Sequence, residues 1–257
     1  MLLVKLGGSA ITDKTQALCV RPAVLYRLSR ELGTFEGEVI VVHGAGSFGH
    51  IKAARYKLHK GLRGKDAVMR AAEVQADVRT LDLEVIRALQ RAGLPAVSLP
   101  PSLMVRHCRG MPKSADLRPF HQMIKSGFVP VTFGDMVMDE EWGASICSGD
   151  TLMVLLAGEF EPERAIFVTD VDGVYDHDPK GCKGAKFLPK IDPSLARTMT
   201  SSPGRQDVTG AMGSKLDAAF AIASLGTEVY VLNGLVRGRL RALLSGQPGR
   251  WTQIGGG

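Results

Sequence analysis

The stretch Glu38-Val39-Ile40-Val41-Val42-His43-Gly44-Ala45-Gly46-Ser47-Phe48-Gly49-His50 decides the fold class. Its first half is apolar and β-branched almost without a break, the composition of a strand covered on both faces. A glycine loop follows at once, which is where an α/β fold places its ligands. Residues 1–6 (MLLVKL) repeat the arrangement, with Lys5-Leu6-Gly7-Gly8-Ser9 next in line. Working outward, a helix is expected over 22–32, with Pro22 in its first turn and Gly33 at its end. The longest helical pattern covers 66–92, where Val74, Val78, Leu81, Val85 and Leu89 recur at spacings of three or four. Further strands are expected at 95–99, 128–133, 165–169 and 227–232, a hairpin excursion at 134–143, and helices over 150–157 and 212–225. This alternation predicts an α/β sandwich with a largely parallel sheet. A polar break at 158–164 divides the single domain 1–257 into two lobes on one continuous sheet, 1–160 and 161–257.

Thirty glycines among 257 residues stand well above the usual ~7%. They cluster in short loops, without a collagen period. Thirty-two basic against 26 acidic side chains leave a net charge of +6, which favours anionic partners. Cys19, Cys108, Cys147 and Cys182 lie far apart, so neither a zinc site nor a disulfide framework follows, and a reducing cytoplasm suits them. The apolar opening stops at Lys5, too short for a signal-peptide core, and no run approaches the ~18 residues of a membrane span. The expectation is a soluble cytoplasmic protein with no membrane partner.

Three glycine loops carry the chemistry: 5–9, 43–50, and Asp207-Val208-Thr209-Gly210-Ala211-Met212-Gly213-Ser214-Lys215 at a helix start. Without side chains, backbone N–H groups can approach phosphate oxygens, and a helix N-terminus adds a favourable dipole. The second loop matches G-x-G-x-x-G, but a dinucleotide fold needs an acidic residue ending a strand about 20 residues later. Asp66 has that spacing, yet the stretch before it is basic and helical. The loop also falls short of a Walker A motif, because His50 and Ile51 replace its Lys and Ser/Thr. Protein-kinase signatures are absent.

Lys5 interrupts a buried strand beside two glycines, Lys14 flanks the same loop, and Lys215 ends the third. Phosphoryl transfer spreads charge over equatorial oxygens, so its catalysts are chiefly positioned cations and N–H donors. Asp150, at a helix start, is either an N-cap or a carboxylate that orients Lys5 and Lys215. Thr169-Asp170-Val171-Asp172-Gly173-Val174-Tyr175 is either a plain turn or the rim of a nucleotide pocket.

With these residues in place, the chain resembles the amino acid kinase family and, within it, the isopentenyl phosphate kinases. KLGGSAITDK, VVHGAGSFGH, SGDTL, TDVDGVYDHDP and DVTGAMGSK occur in the family order across nearly the whole chain. The second stretch discriminates, since His50 after GAGSFG is the residue such kinases, like fosfomycin kinases, use to hold the acceptor phosphate or phosphonate. The resemblance implies a three-layer αβα sandwich of the amino acid kinase fold, a homodimer, and ATP-dependent conversion of isopentenyl phosphate to the diphosphate with Mg²⁺. It makes 1–160 the phosphate-acceptor lobe and 161–257 the nucleotide-binding lobe. Lys5, Gly7, Gly8, Ser9 and Gly46 would meet the ATP phosphates, and Lys215 would hold their β/γ end. Lys14 would stabilise the transferring group, while Asp150 organises the lysines. Ala45, Gly49, His50 and Gly149 would line the acceptor phosphate, and Asp170, Tyr175, Gly210 and Ala211 would frame the nucleotide. No direct metal ligand is assigned. Ala211 departs from the family, which commonly has a second glycine there, and so does Thr151, where an acidic or amide residue is frequent.

The isopentenyl tail needs an apolar slot, for which the 66–92 helix offers Met69 and Val74, with Ile146 opposite; the same residues also suit a plain core. A fosfomycin-type phosphonate kinase is the alternative within the family, ahead of a uridylate or acetylglutamate kinase. A nucleic-acid partner is not expected. The basic run Lys52, Arg55, Lys57, Lys60, Arg63 and Lys65 has Tyr56 as its single aromatic, too little for stacking-based recognition.

Overall fold

The computed structural model of the protein describes residues 1–177, 184–192 and 211–255. The first half runs β1 (Leu2–Leu6), α1 (Gly8–Ile11), α2 (Pro22–Leu32), β2 (Val39–His43), α3 (Gly46–Arg55), α4 (Ala67–Arg91), β3 (Ala96–Ser98), α5 (Pro101–Met104), β4 (Val105–Cys108) and β5 (Met111–Ala115). Next come α6 (Arg118–Lys125), β6 (Val129–Phe133), β7 (Asp135–Asp139), β8 (Gly143–Cys147), α7 (Gly149–Phe160) and β9 (Arg164–Thr169). The remainder comprises β10 (Val174–Tyr175), β11 (Phe187–Leu188), β12 (Lys190–Ile191), α8 (Ala211–Ala223), β13 (Glu228–Asn233), α9 (Arg239–Leu244) and β14 (Trp251–Ile254).

The main sheet has the order β12-β14-β13-β9-β1-β2-β6-β3. Every pairing from β13 to β3 is parallel, and only β13 with β14 is antiparallel. Alternation along β1 explains the layers, because successive side chains point to opposite faces. Leu2, Val4 and Leu6 join Val39, Val41 and Ile166 in a core closed by Leu25, Leu28 and Leu32 of α2 and by Leu81, Val85 and Leu89 of α4. Leu3 faces the other way with Ile40, Val42 and Phe167, under Leu152, Met153 and Leu156 of α7 and Leu216 and Phe220 of α8. The chain is therefore an αβα sandwich. Lys5 shares the Leu3 face, so its strand aims it at the layer built by α7 and α8.

The long helix covers Ala67–Arg91, with Asp66 and Ala92 at its caps, close to the expected range. It divides its duties. Its second half covers the sheet, while Val74 and Val78 join Leu58, Ala71 and Phe133 in a separate apolar cluster. The hairpin expected at 134–143 is larger, with β7 pairing antiparallel to β8 through Cys147. It belongs to a second sheet of order β5-β4-β7-β8, whose strands β4 and β5 the sequence did not reveal. The basic run does not continue as one helix. Gly46–Arg55 is α3, after which Lys57 turns left-handed (φ 55°) into a 3-10 turn at Leu58–Lys60.

Candidate active site

Five neighbouring parallel strands, β13, β9, β1, β2 and β6, end at one edge of the main sheet, and four of them hand their chain to a loop tied to a neighbouring strand. The N–H of Gly7 bonds to Val168 O, Gly44 to Leu6 O, Gly134 to His43 O and Gly234 to Thr169 O, at 2.7–3.0 Å. This carboxyl edge is where an open α/β sheet forms its ligand crevice. The first two glycine loops interlock there. A Cβ on Gly8 would stand 2.5 Å from both the N and Cα of Gly46, and one on Gly44 would stand 2.7 Å from the N of Gly8. Gly46 also has φ +51°, a left-handed conformation costly to most side chains.

At the centre sits a buried cluster of opposite charges. Lys5 Nζ donates to Asp150 Oδ1 at 2.5 Å, and Lys215 Nζ lies 4.0 Å from the same oxygen. Both lysines are buried, with 5% and 8% of their surface exposed. Burial first, and then the charge of Lys215, bring the Lys5 pKa down from 10.5 to about 8, against the opposing pull of Asp150. Asp150 is free for this because Ser148 takes the cap of α7, its Oγ accepting the Thr151 N–H at 3.0 Å. The N-cap reading of Asp150 thus fails in favour of the one that pairs it with the lysines. Gly149 makes the approach possible, since a Cβ there would lie 3.0 Å from Lys5 Cε.

Beside this cluster opens a pocket of about 80 Å³. Its lining joins Lys5, Ala45, Gly49, His50, Gly149 and Asp150 to the apolar Ala53, Val74, Val78, Met136 and Ile146. The N-termini of α3 and α7 both reach it, so their dipoles favour an anion there. His50 is exposed overall, yet desolvation lowers its pKa most, followed by Lys14 and Lys5, against a contrary pull from Asp150. A lysine, a histidine and two helix N-termini beside an apolar slot fit a small phosphate with a hydrocarbon tail. Val74 and Ile146 line that slot as expected. Met69 does not: it is 65% exposed and takes no part in the wall, because five residues of helix turn it about 140° away from Val74 around α4.

Lys14 is exposed in the turn after α1, and its charge acts on both His50 and Asp170. Asp170 accepts from the Ser9 and Thr169 hydroxyls, and these bonds, with Lys14, lower its pKa against the cost of burial. Ser9, Lys14 and Asp170 therefore meet at the first loop. Tyr175 packs edge-on against Phe187 at 5.6 Å in the small β10–β11 ribbon. Gly210 lies outside the described residues, as do 207–209 of the third loop. Ala211 opens α8. Gly7, Gly8, Ser9 and Gly46 do not line this pocket.

Sequence reasoning missed Gly44, Ala53, Gly134, Asp135, Met136 and Ser148 in the pocket wall. Asp135 is the surprising one: burial raises its pKa, against Arg79 at 3.0 Å. Nothing near it in the sequence announces that pair, whereas S-G-D at a helix start does carry a readable cap signal for Ser148. Asp172, two residues after Asp170, is spent elsewhere. It binds Arg239 at 2.6 Å and Asn233 at 3.1 Å, stitching the β9 loop to α9 and β13. Among the described residues no three His, Cys, Asp or Glu side chains gather as a metal cage. No helix among them is long and apolar enough to cross a membrane.

The pattern of the amino acid kinase family matches residues 1–233. An isopentenyl phosphate kinase of Thermoplasma acidophilum is 36% identical, over 91% of this chain and 92% of that protein. One from Methanothermobacter thermautotrophicus is 34% identical, over 100% of this chain and 99% of the relative. Among solved structures, an X-ray structure of isopentenyl phosphate kinase superposes with a TM-score of 0.86 at 32% identity, covering 98% of this chain and 99% of that one.

Proposed function

The chain belongs to the amino acid kinase family, and from that premise we propose that it transfers the γ-phosphoryl group of ATP to isopentenyl phosphate, yielding isopentenyl diphosphate and ADP. The observation that carries the acceptor choice is the pocket itself, whose lining joins Lys5, His50 and two helix N-termini to the apolar Val74, Val78, Met136 and Ile146. A phosphonate kinase of the fosfomycin type finds no such support, because its short polar acceptor would leave the apolar wall unfilled.

The chemistry needs no general base. A phosphate monoester has its second pKa near ~6, so at neutral pH its oxygen is already an unprotonated nucleophile. That oxygen bonds to the γ-phosphorus as the bond to the β–γ bridging oxygen breaks, and ADP leaves with the electron pair. The obstacle is repulsion between two anions brought to near-attack distance. Lys5 and Lys215 would meet charge growing at the β/γ end, held in place by Asp150. Lys14, between His50 and Asp170, would follow the moving phosphoryl group. His50 would donate a hydrogen bond to the acceptor phosphate. Gly7, Gly8, Ser9 and Gly46 would supply the loop around the ATP phosphates, and Tyr175, Gly210 and Ala211 the nucleotide's surroundings. Residues 1–160 then form the acceptor lobe and 161–257 the nucleotide lobe.

Mg²⁺ would enter on the nucleotide, held mainly by phosphate oxygens and water. The carboxylate of Asp170 and the hydroxyl of Ser9 are oxygen donors of the kind it takes, and when bound it neutralises phosphate charge. A homodimer located in the cytoplasm completes the reading. The deciding experiment measures ADP release with Mg·ATP against isopentenyl phosphate, dimethylallyl phosphate, fosfomycin, UMP and N-acetylglutamate, for the wild type and His50→Ala. Selective turnover of the prenyl phosphates, lost in the variant, is the expected result. Turnover of another acceptor, or indifference to His50, would overturn the substrate assignment.

A further inference from the structure

Between α1 and α2 the chain makes a strap, residues 12–20, that carries Lys14 out over the site. Its two ends are bound together, by a β-bridge between Thr12 and Val20 and by the Asp13 N–H to Cys19 O at 2.8 Å. Two buried hydroxyls then fasten it to the glycine loops. Thr12, fully buried, donates through Oγ1 to Gly8 O at 2.6 Å and accepts the Ser47 N–H at 3.0 Å. Ser47, 3% exposed, accepts the Cys19 N–H at 3.2 Å, and its hydroxyl lies 3.3 Å from Cys19 O, oriented to donate. Gly46 closes the joint, since any Cβ there would collide with the Thr12 side chain. Neither hydroxyl residue lines the pocket. Thr12 joins both glycine loops where the strap begins, and Ser47 grips the strap where it returns.

We propose that Thr12 and Ser47 are positioning residues for phosphoryl transfer, a pair of hydroxyl clips that hold the Lys14 strap in register with the N-terminus of α3. This rests on the reading of Lys14 given above. The physical case is one of leverage. Lys14 is exposed, and its side chain meets His50 and Asp170 through charge alone. Its placement is therefore set by the backbone of the strap. The strap spans nine residues, Leu18 sits at φ 55°, and the two clips grip it on either side of Lys14. Freeing either grip lets the ammonium wander from the seat of the acceptor phosphate. Displacement of about 1 Å can cost on the order of a hundredfold in rate.

The test is a double-mutant cycle with isopentenyl phosphate and Mg·ATP. Ser47→Ala, Thr12→Val and Thr12→Ser are made in the wild type and in Lys14→Ala, with kcat, both KM values and the thermal midpoint measured for each. Ser47→Ala and Thr12→Val are expected to lower kcat about tenfold or more while leaving each KM within about twofold, the signature of an interaction felt only in the transition state. Thr12→Ser keeps the hydroxyl and should retain kcat. In the Lys14→Ala background the clip variants should cost almost nothing more, because the group they position is gone. Losses that multiply in that background, with Lys14→Ala itself impaired, would overturn the clip alone. Full turnover by Lys14→Ala would overturn the role of Lys14 and the clip with it. Should Thr12→Val not fold, Ser47→Ala, which deletes a single oxygen, decides the matter.

Discussion

Replacing Asp150 by Asn removes one negative charge while keeping the shape of the side chain, and the buried lysines make the consequence calculable. Lys5 has a pKa of about 8 with Asp150 pulling it upward against burial and Lys215. The carboxylate acts at 2.5 Å on Lys5 and 4.0 Å on Lys215. A hydrogen bond to a charged group is worth about 1.5–3 kcal/mol net. Each pH unit corresponds to ~1.4 kcal/mol, so loss of the carboxylate should displace Lys5 titration acidward by about one to two pH units. The assay is the pH profile of kcat/KM, which reports groups of the free enzyme. In the wild type the profile should fall as pH rises through about 8, where Lys5 loses its proton. In Asp150→Asn the falling limb should begin at distinctly lower pH, and activity at pH 7 should drop accordingly. Lys5→Arg, which does not titrate in this range, should remove the limb from whatever activity remains. An unmoved limb in Asp150→Asn would refute the account of the charge cluster.

The same depressed pKa has a stability counterpart. The unfolded chain binds the Lys5 proton more tightly than the folded one between pH about 8 and 10.5, so Lys5 makes ligand-free stability rise with pH across that window. Val74→Ala, at the buried wall of the pocket, should widen the slot and admit longer prenyl phosphates at a cost of about 2 kcal/mol, read by kinetics across a chain-length series and by denaturation. An unchanged chain-length preference would remove α4 from the slot. Two glycine substitutions form a matched pair. Gly8→Ala should severely impair both folding and turnover, since its Cβ meets Gly46 backbone at 2.5 Å, whereas Gly158→Ala in α7 meets nothing within 4 Å and should raise stability by about 0.5–1 kcal/mol in a thermal melt.

Most of the layer architecture was legible because its signals are local. Val39–His43 reads as a doubly covered strand from composition alone, and α4 from the recurrence of Val74 to Leu89. Where local signals are weak, the reading stopped short. Strands β4 and β5 hold Arg106, His107, Pro112 and Lys113, a polar and proline-broken run, and they exist through pairing, β4 with β7 and β5 with β4. Asp150 was ambiguous because an N-cap and a lysine partner look alike in one dimension.

By itself the sequence determined that short buried strands alternate with helices, that three glycine loops follow or open them, and that Lys5 stands on a strand where an aliphatic residue belongs. These are properties of neighbours in the chain, carried by periodicity and backbone freedom. Only the tertiary structure decided which carboxylate neutralises Lys5, that Asp135 rather than Met69 lines the pocket, and that Asp172 serves a structural ion cluster while Asp170 faces Ser9. Lys5 and Asp150 are 145 residues apart. Their pairing depends on the register of β1 and on Ser148 occupying the cap of α7, and burial makes that register consequential, because two buried ammonium groups without a counter-charge would not remain charged.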